Sequence, residues 1–275
     1  MVKAVRRVQL TDPFVKESIK YTLSLVCGHL KSINWTLSLA WGKGIVPEKA
    51  TKFKYRTKGE GISARAYVFT AYSDSLEIAE DSAKVIGGKF NQGALMLEAC
   101  NFCDDVVGET ADITVGDAWL PQFEIDAQGT NMLIVRNREI NELLQQSIKE
   151  DRVNLVDLTE ADAKYAQAGG FRQRREGLSF RLGKMDKQNK MRPEKRIKAN
   201  SHALTELRKT IYTMREGVTT VSRESFVKAL ENNDYSIYNK RLKIYLKRLR
   251  LLEVASSAPR FISKKIATLR LKNNI

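Results

Sequence analysis

CNFCDDVVGETADITVGDAW, residues 100–119, governs how the front of this chain is read. It sets a C-x-x-C, Cys100 and Cys103, ahead of a short apolar run from Asp112 to Val115 that reads as a buried strand. The third and last cysteine, Cys27, lies in the turn Cys27-Gly-His-Leu-Lys31. A strand feeds that turn too, because Tyr21 to Val26 is β-prone. Ser32 then caps a helix running to about Trp41, with Gly42 and Gly44 as stop signals. The result is a strand, a loop holding Cys27, and a helix. The free N–H groups at such a helix start suit an anion, for example a phosphate or a reduced cluster.

Strands and helices go on alternating outward from these loops. Asp12-Pro13 starts a short helix. Lys52 to Thr57 and Ala64 to Tyr72 read as strands joined by a loop with Gly59 and Gly61. Residues 73–92 read as a loop with a short helix, ending near Gly87-Gly88-Lys89. Met132 to Val135 and Val153 to Leu158 are further short strands, and Ile140, Leu143, Leu144 and Ile148 have helical spacing. Thr159 and Asp162 resemble a capping box, with Gly169-Gly170 closing that helix. The alternation predicts an α/β fold, a mixed sheet with flanking helices. Beyond Gly170, helices are expected near 201–216, 222–232 and 236–253, the last with Leu242, Leu246, Leu249 and Leu252 on one face. No internal repeat is read.

Charge divides the chain. Residues 1–160 carry 19 basic and 22 acidic side chains, whereas residues 161–275 carry 28 and 10. The expected organisation is one unit over 1–170 and a basic, mainly helical extension over 171–275. At 43% hydrophobic, 275 residues can bury a core without disulfides. Three cysteines are too few for a disulfide framework. The basic start, Met1 to Leu10, has no apolar signal region, and no run of about 18 apolar residues occurs. A reducing cytoplasm is the expected compartment.

Three thiols can serve several chemistries. Two could be close by chance. Zinc needs four ligands and would have to recruit His29 or an aspartate. A thioredoxin-type pair normally opens a helix, and here Asp104-Asp105 follow, whose charge should raise the thiol pKa. A 4Fe–4S cluster takes four cysteines, one more than the chain supplies.

The segments VCGHLKS (26–32), LAWGKGI (39–45), FKYRTKGEG (53–61), residues 100–119, GTNMLIVRN (129–137) and GGFRQRREGLSFRL (169–182) occur in this order. Together they resemble the C-terminal region of the coenzyme F420 hydrogenase/dehydrogenase beta-subunit family, over roughly residues 1–200. The resemblance implies an iron–sulfur flavoprotein oxidoreductase subunit. It would pass electrons between FAD and a 4Fe–4S cluster, with a deazaflavin or another acceptor as redox substrate. Cys27, Cys100 and Cys103 would be the cluster ligands. The family's remaining cysteine lies in a Gly-x-Pro-Cys segment just ahead of the stretch that here begins at Met1, so a truncated member is expected. An electron-transfer partner or the N-terminal segment would then complete the site.

Within that expectation, Gly28, Lys31 and Ser32 form a plausible diphosphate cradle at the helix start, and Lys89 after Gly87-Gly88 is a second cation. Asp117 and Trp119 end a buried strand, where cofactor pockets open. His29 would hydrogen-bond near the cluster. Each has a plain structural alternative: the glycines for turns, Trp119 for core, Lys31 for solvent, His29 for the turn. The basic extension shows no nucleic-acid-binding motif, so nucleic acid is disfavoured, and an acidic partner or anionic lipid fits equally well. The rival reading is a non-catalytic relative acting as a binding or scaffold protein through that extension. A relative in glycan or secondary metabolism with another electron acceptor is a further alternative.

Overall fold

The computed structural model describes residues 2–57, 63–64 and 68–272, with side chains described as far as residue 257. Two short helices come first, α1 (Val2–Val8) and α2 (Pro13–Ser18). The Asp12 carboxylate accepts the Val15 N–H at 3.1 Å, and Pro13 supplies a helical φ in the first turn. β1 (Leu23–Leu25), α3 (Ile33–Trp41), β2 (Lys52–Thr57), β3 (Val68–Tyr72), β4 (Glu77–Asp81), β5 (Ile113–Asp117) and β6 (Asn131–Val135) follow.

Among the described residues the strands form two three-stranded sheets. One is mixed, in the order β1–β5–β6, with β1 parallel to β5 and β6 antiparallel to it. The other is the antiparallel meander β2–β3–β4. Asp112, just before β5, fastens the mixed sheet to its neighbours. Its carboxylate accepts from the Thr22 N–H (2.7 Å), the Thr22 hydroxyl (2.8 Å), Arg6 (2.5 Å) and Asn137 (3.1 Å). One side chain thus holds α1, the start of β1 and the cap of the next helix. Burial opposes its charge, yet these donors keep its pKa below the ordinary value.

Helices complete the chain: α4 (Arg138–Lys149), α5 (Glu160–Ala166), α6 (Ala168–Arg174), α7 (Glu176–Lys187), α8 (Glu206–Glu231) and α9 (Tyr235–Lys272). Asn137 caps α4, Thr159 and Asp162 make the expected capping box on α5, and Thr205 caps α8. The architecture is the expected α/β one, with a helical C-terminal region.

The core joins the front of the chain to its end. Trp35, Leu39 and Trp41 of α3 and Phe69 and Ala71 of β3 pack with Val218 and Phe226 of α8 and with Tyr238, Leu242 and Leu249 of α9. Trp41 meets Phe226 edge-on at 6.1 Å. Two polar bonds tie α8 to the intervening loop: Ser222 Oγ accepts the Leu95 N–H at 2.8 Å, and the Thr219 hydroxyl donates to the Gly93 carbonyl at 3.1 Å. The Leu242 stripe read from the sequence is therefore the face that α9 buries.

The structure departs from expectation at several places. Residues 77–81, read as part of a loop, are β4, because pairing with β3 supplies what their polar sequence conceals. The strand expected from Ala64 begins at Val68 among the described residues, and Gly59 and Gly61 lie outside them. Residues 153–158 form no strand; they are largely exposed and have no partner strand among the described residues. Gly169 and Gly170 do not end α5 but lie inside α6, where a Cβ on Gly170 would crowd Val106 at 3.2 Å. The expected break between residues 216 and 222 is absent. Gly217, inside that interval, sits under the Tyr245 ring, where a Cβ would come within 2.9 Å, so it serves helix packing within a continuous α8.

Because Phe226 is fully buried against Trp41, Phe226→Ala should cost about 3–5 kcal/mol. Chemical denaturation followed by tryptophan fluorescence checks this. A shift below about 1 kcal/mol would mean that α8 is not part of the core.

Candidate functional site

Cys100 lies in a short 3-10 turn, Glu98–Phe102, and Cys103 ends it, donating its N–H to the Cys100 carbonyl at 3.4 Å. The Cys27 loop lies alongside. The Cys27 N–H donates to the Val106 carbonyl at 3.1 Å, and the Leu30 N–H points at Cys100 Sγ at 3.2 Å. Cys27 is exposed and the other two are half-buried. Burial pushes the Cys100 thiol pKa up, and the neighbouring Cys27 and Cys103 add to the rise. The three thiols are thus electrostatic neighbours. Among the described residues, no three His, Cys, Asp or Glu side chains stand close enough to hold a metal ion as they are.

Arg174, at the end of α6, bridges the two loops. Its guanidinium donates to Cys103 Sγ at 3.0 Å, to the Gly28 carbonyl at 2.6 Å and to the Asp105 carbonyl. Only 3% of this residue is exposed. Gly170, one turn earlier, lets α6 approach Val106 closely. Arg181 of α7 does similar work one layer deeper, donating to the carbonyls of Asn101 (2.9 Å) and Gln173 (3.0 Å). Burial pulls its pKa down to about 10.

Asp104, the first aspartate after the C-x-x-C, behaves otherwise than expected. Asp104 pairs with Lys3 at 3.2 Å and Arg196 at 2.8 Å, and Glu109 pairs with Arg175 at 2.6 Å and with Arg196. Their charges are compensated, and what raises the Cys100 pKa is burial and the other two thiols.

A cleft of about 410 Å³ opens beside Cys100. The cysteine loops form one wall with Gly28 and His29; Phe90 to Gly93 form another; Arg172, Arg208 and Arg215 come from α6 and α8. His29 stacks on Phe90 with ring centres 4.5 Å apart. Burial, helped by the charge of Lys31, lowers the His29 pKa to about 3, so the imidazole is neutral at physiological pH. Its Nε2 is buried without a hydrogen bond. Arg172 is exposed and has no partner among the described residues. Arg208 donates to Glu176 and Tyr212, and Arg215 to Glu253 and the Asn91 carbonyl.

The remaining predicted site residues scatter around this cleft. Lys31 lies beneath it, donating to the Ala94 carbonyl at 2.7 Å under the rings of Trp35 and Phe90, and burial lowers its pKa to about 7. The Ser32 N–H is engaged by the Leu95 carbonyl. Lys89 is exposed just before the 3-10 turn Phe90–Gln92. Asp117 and Trp119 line a second cavity of about 140 Å³, where Arg56 approaches Asp117 at 3.4 Å. The structure therefore brings together Cys27, Cys100, Cys103, Gly28 and His29, and sets Asp117 and Trp119 apart. Sequence reading missed Phe90, Arg174, Arg208 and Arg215. The signal for Arg174 was in plain view, in FRQRR (171–175), but a buried arginine and a solvated one look alike in a basic run.

Asp104 and Glu109 predict a pH dependence. Burial opposes the Asp104 charge, but Lys3 and Arg196 hold its carboxyl below its usual value, and the Arg196 hydrogen bond does the same for Glu109. Both pKa values are depressed on folding, so their contribution is complete above the usual values of 3.8 and 4.5 and is lost as pH falls through the folded ones. Arg196→Gln should therefore flatten the acid limb of the stability curve, read as the denaturant midpoint between about pH 7 and pH 3. An acid limb identical to that of the wild type would contradict the pairing.

No curated protein matches the chain. A family model describing the C terminus of the beta subunit of coenzyme F420 hydrogenase/dehydrogenase matches residues 1–161, more than half of the 275 and both cysteine loops. With that match added to the thiol loops and the α/β frame, the chain belongs to the coenzyme F420 hydrogenase/dehydrogenase beta-subunit family of oxidoreductase-type proteins.

Proposed function

We propose that the chain is an electron-transfer subunit of an oxidoreductase, with an iron–sulfur centre at Cys27, Cys100 and Cys103 and a flavin, FAD, in the arginine-lined cleft beside it. The observation that carries this reading is the setting of Arg174. Its hydrogen-bond partners are a sulfur and two carbonyls, none of them a carboxylate. A buried cation left without an anion costs several kcal/mol. Iron-bound thiolates would supply the negative charge, and the Leu30 N–H on Cys100 Sγ is the kind of donor that tunes such sulfurs.

The donor chemistry fits the cluster. The thiols are soft ligands, they interact with one another, and N–H groups support two of them. They supply three ligands, which leaves the fourth to a partner protein or another segment. The cleft fits part of a flavin nucleotide. Arg172, Arg208 and Arg215 offer donors to phosphate oxygens, and the neutral His29 on Phe90 gives a flat, weakly polar wall next to Cys100. A bound flavin would exchange an electron pair with a hydride donor or acceptor and single electrons with a metal centre. The family name makes the deazaflavin F420 the first candidate for the redox substrate, and "beta subunit" implies further subunits as partners. Free thiols of this kind belong in a reducing compartment, so the cytoplasm is the proposed location.

The test is anaerobic reconstitution of the full chain with ferrous iron, sulfide and FAD. Wild type should take up iron and quench FAD fluorescence. Cys100→Ser should lose the iron and keep the flavin, and Arg208→Ala with Arg215→Ala should weaken FAD about tenfold or more. Uptake of neither iron nor FAD would overturn the reading.

A further inference from the structure

Residues 240–246 and 247–253 of α9 read KRLKIYL and KRLRLLE. This is a seven-residue repeat, masked in the sequence by the leucine stripe that runs through it. It places Lys240, Arg241 and Lys243 one repeat ahead of Lys247, Arg248 and Arg250, and Ile244 one repeat ahead of Leu251. Tyr238, Leu242, Leu246 and Leu249 are buried, and they fix which side of α9 faces the core.

At about 100° per residue, the opposite side gathers Ile244, Leu251 and Val254 with Lys240 and Lys247. Lys243 and Arg250 flank this stripe on one edge, and Arg241 and Arg248 on the other. All six cations are exposed, and none has an ion pair among the described residues. No carboxylate interrupts residues 235–252. Ile244, Leu251 and Val254 are 53%, 62% and 59% exposed, so the apolar centre of the face is open. The face runs for about 21 Å along the helix.

We propose that this face docks onto an anionic lipid surface. Ile244 and Leu251 enter the interface, and the flanking lysines and arginines reach out to headgroup phosphates, their stems lying along the apolar stripe. The apolar centre is what selects lipid. Nucleic acid would reward the cations but gain little from aliphatic side chains in the middle of the footprint. A protein helix in a coiled coil would need two apolar positions in every seven residues; here Ile244 and Leu251 supply one, and the other is Lys240 and Lys247 before Val254. The other face of α9 stays buried in the core, so the proposed contact is a peripheral one.

Co-sedimentation of the full chain with vesicles tests the proposal. The chain should bind phosphatidylcholine vesicles only when they also carry phosphatidylglycerol, and salt should weaken the binding. Lys243→Gln with Lys247→Gln should lower partitioning about 25-fold at low salt, at about fivefold per cation. Ile244→Ser with Leu251→Ser should lower it severalfold while leaving the salt dependence in place. All four side chains are exposed, and unchanged thermal unfolding would confirm that each variant folds. Three results would overturn the proposal: no preference for the anionic vesicles, binding indifferent to the Ile244/Leu251 change, or binding to a duplex oligonucleotide without binding to vesicles. The second would leave a purely electrostatic contact, which any acidic surface could supply.

Discussion

The guanidinium of Arg174 is where the separate parts of this chain meet. It reaches from the end of α6 to the Gly28 carbonyl in one loop and to Asp105 and Cys103 in the other. These loops are about seventy residues apart in sequence. Their direct bonds are Cys27 N–H to Val106, Leu30 N–H to Cys100 Sγ and, beside the Lys31–Met96 bridge, Leu97 N–H to the Leu30 carbonyl, and the arginine adds the side-chain link between Gly28 and Asp105. Without the arginine the Gly28 carbonyl would lose its side-chain donor and the Asp105 carbonyl would keep only the Cys103 thiol at 3.5 Å, at about 1–3 kcal/mol for a buried group left unpaired. The position of α6 is set in turn by what lies behind it. Glu176 of α7 accepts from Arg208 and Tyr212 of α8, and Lys184 pairs with Glu216. Helix α8 rests on α9 and on the α3–β3 core. The geometry of the thiols thus depends on helices that come far later in the chain.

That dependence changes the meaning of the charge asymmetry. The front half has an excess of carboxylates and the back half a large excess of cations, and several of the two kinds pair across the molecule: Asp104 and Glu109 with Arg196, Glu109 with Arg175, Glu98 with Arg223. Other cations have separate settings. Arg172, Arg208 and Arg215 line the cleft, and the α9 cations face outward. The same net charge serves cohesion in one place and stands open to solvent in another.

Much of the front was legible because its signals are local. Asp12-Pro13 and the Thr159/Asp162 box mark helix starts through short-range hydrogen bonding, and Ser32 with Gly42 brackets α3 by position and backbone preference, with no cap bond from the Ser32 side chain; α2, α3 and α5 begin where these placed them. The cysteine loops were legible because thiols are scarce. What was not legible depends on distant partners. β4 needs β3 beside it, Val153 to Leu158 lacks any such neighbour among the described residues, and Gly170 and Gly217 serve close approach, a role that in sequence resembles a helix stop. Lys31 seemed a free cation suited to phosphate, yet its ammonium is engaged by Ala94. Arg174 was hidden among neighbours of the same charge.

The central claim is that one buried arginine holds both thiol loops in register. Native-state hydrogen exchange on Arg174→Met measures this most directly. The account predicts that the amides of Cys27 and Leu30 and those of Cys103 to Val107 lose protection together, while the α3 and α8 amides in the core keep theirs. Loss in only one loop, or unchanged protection in both, would contradict it.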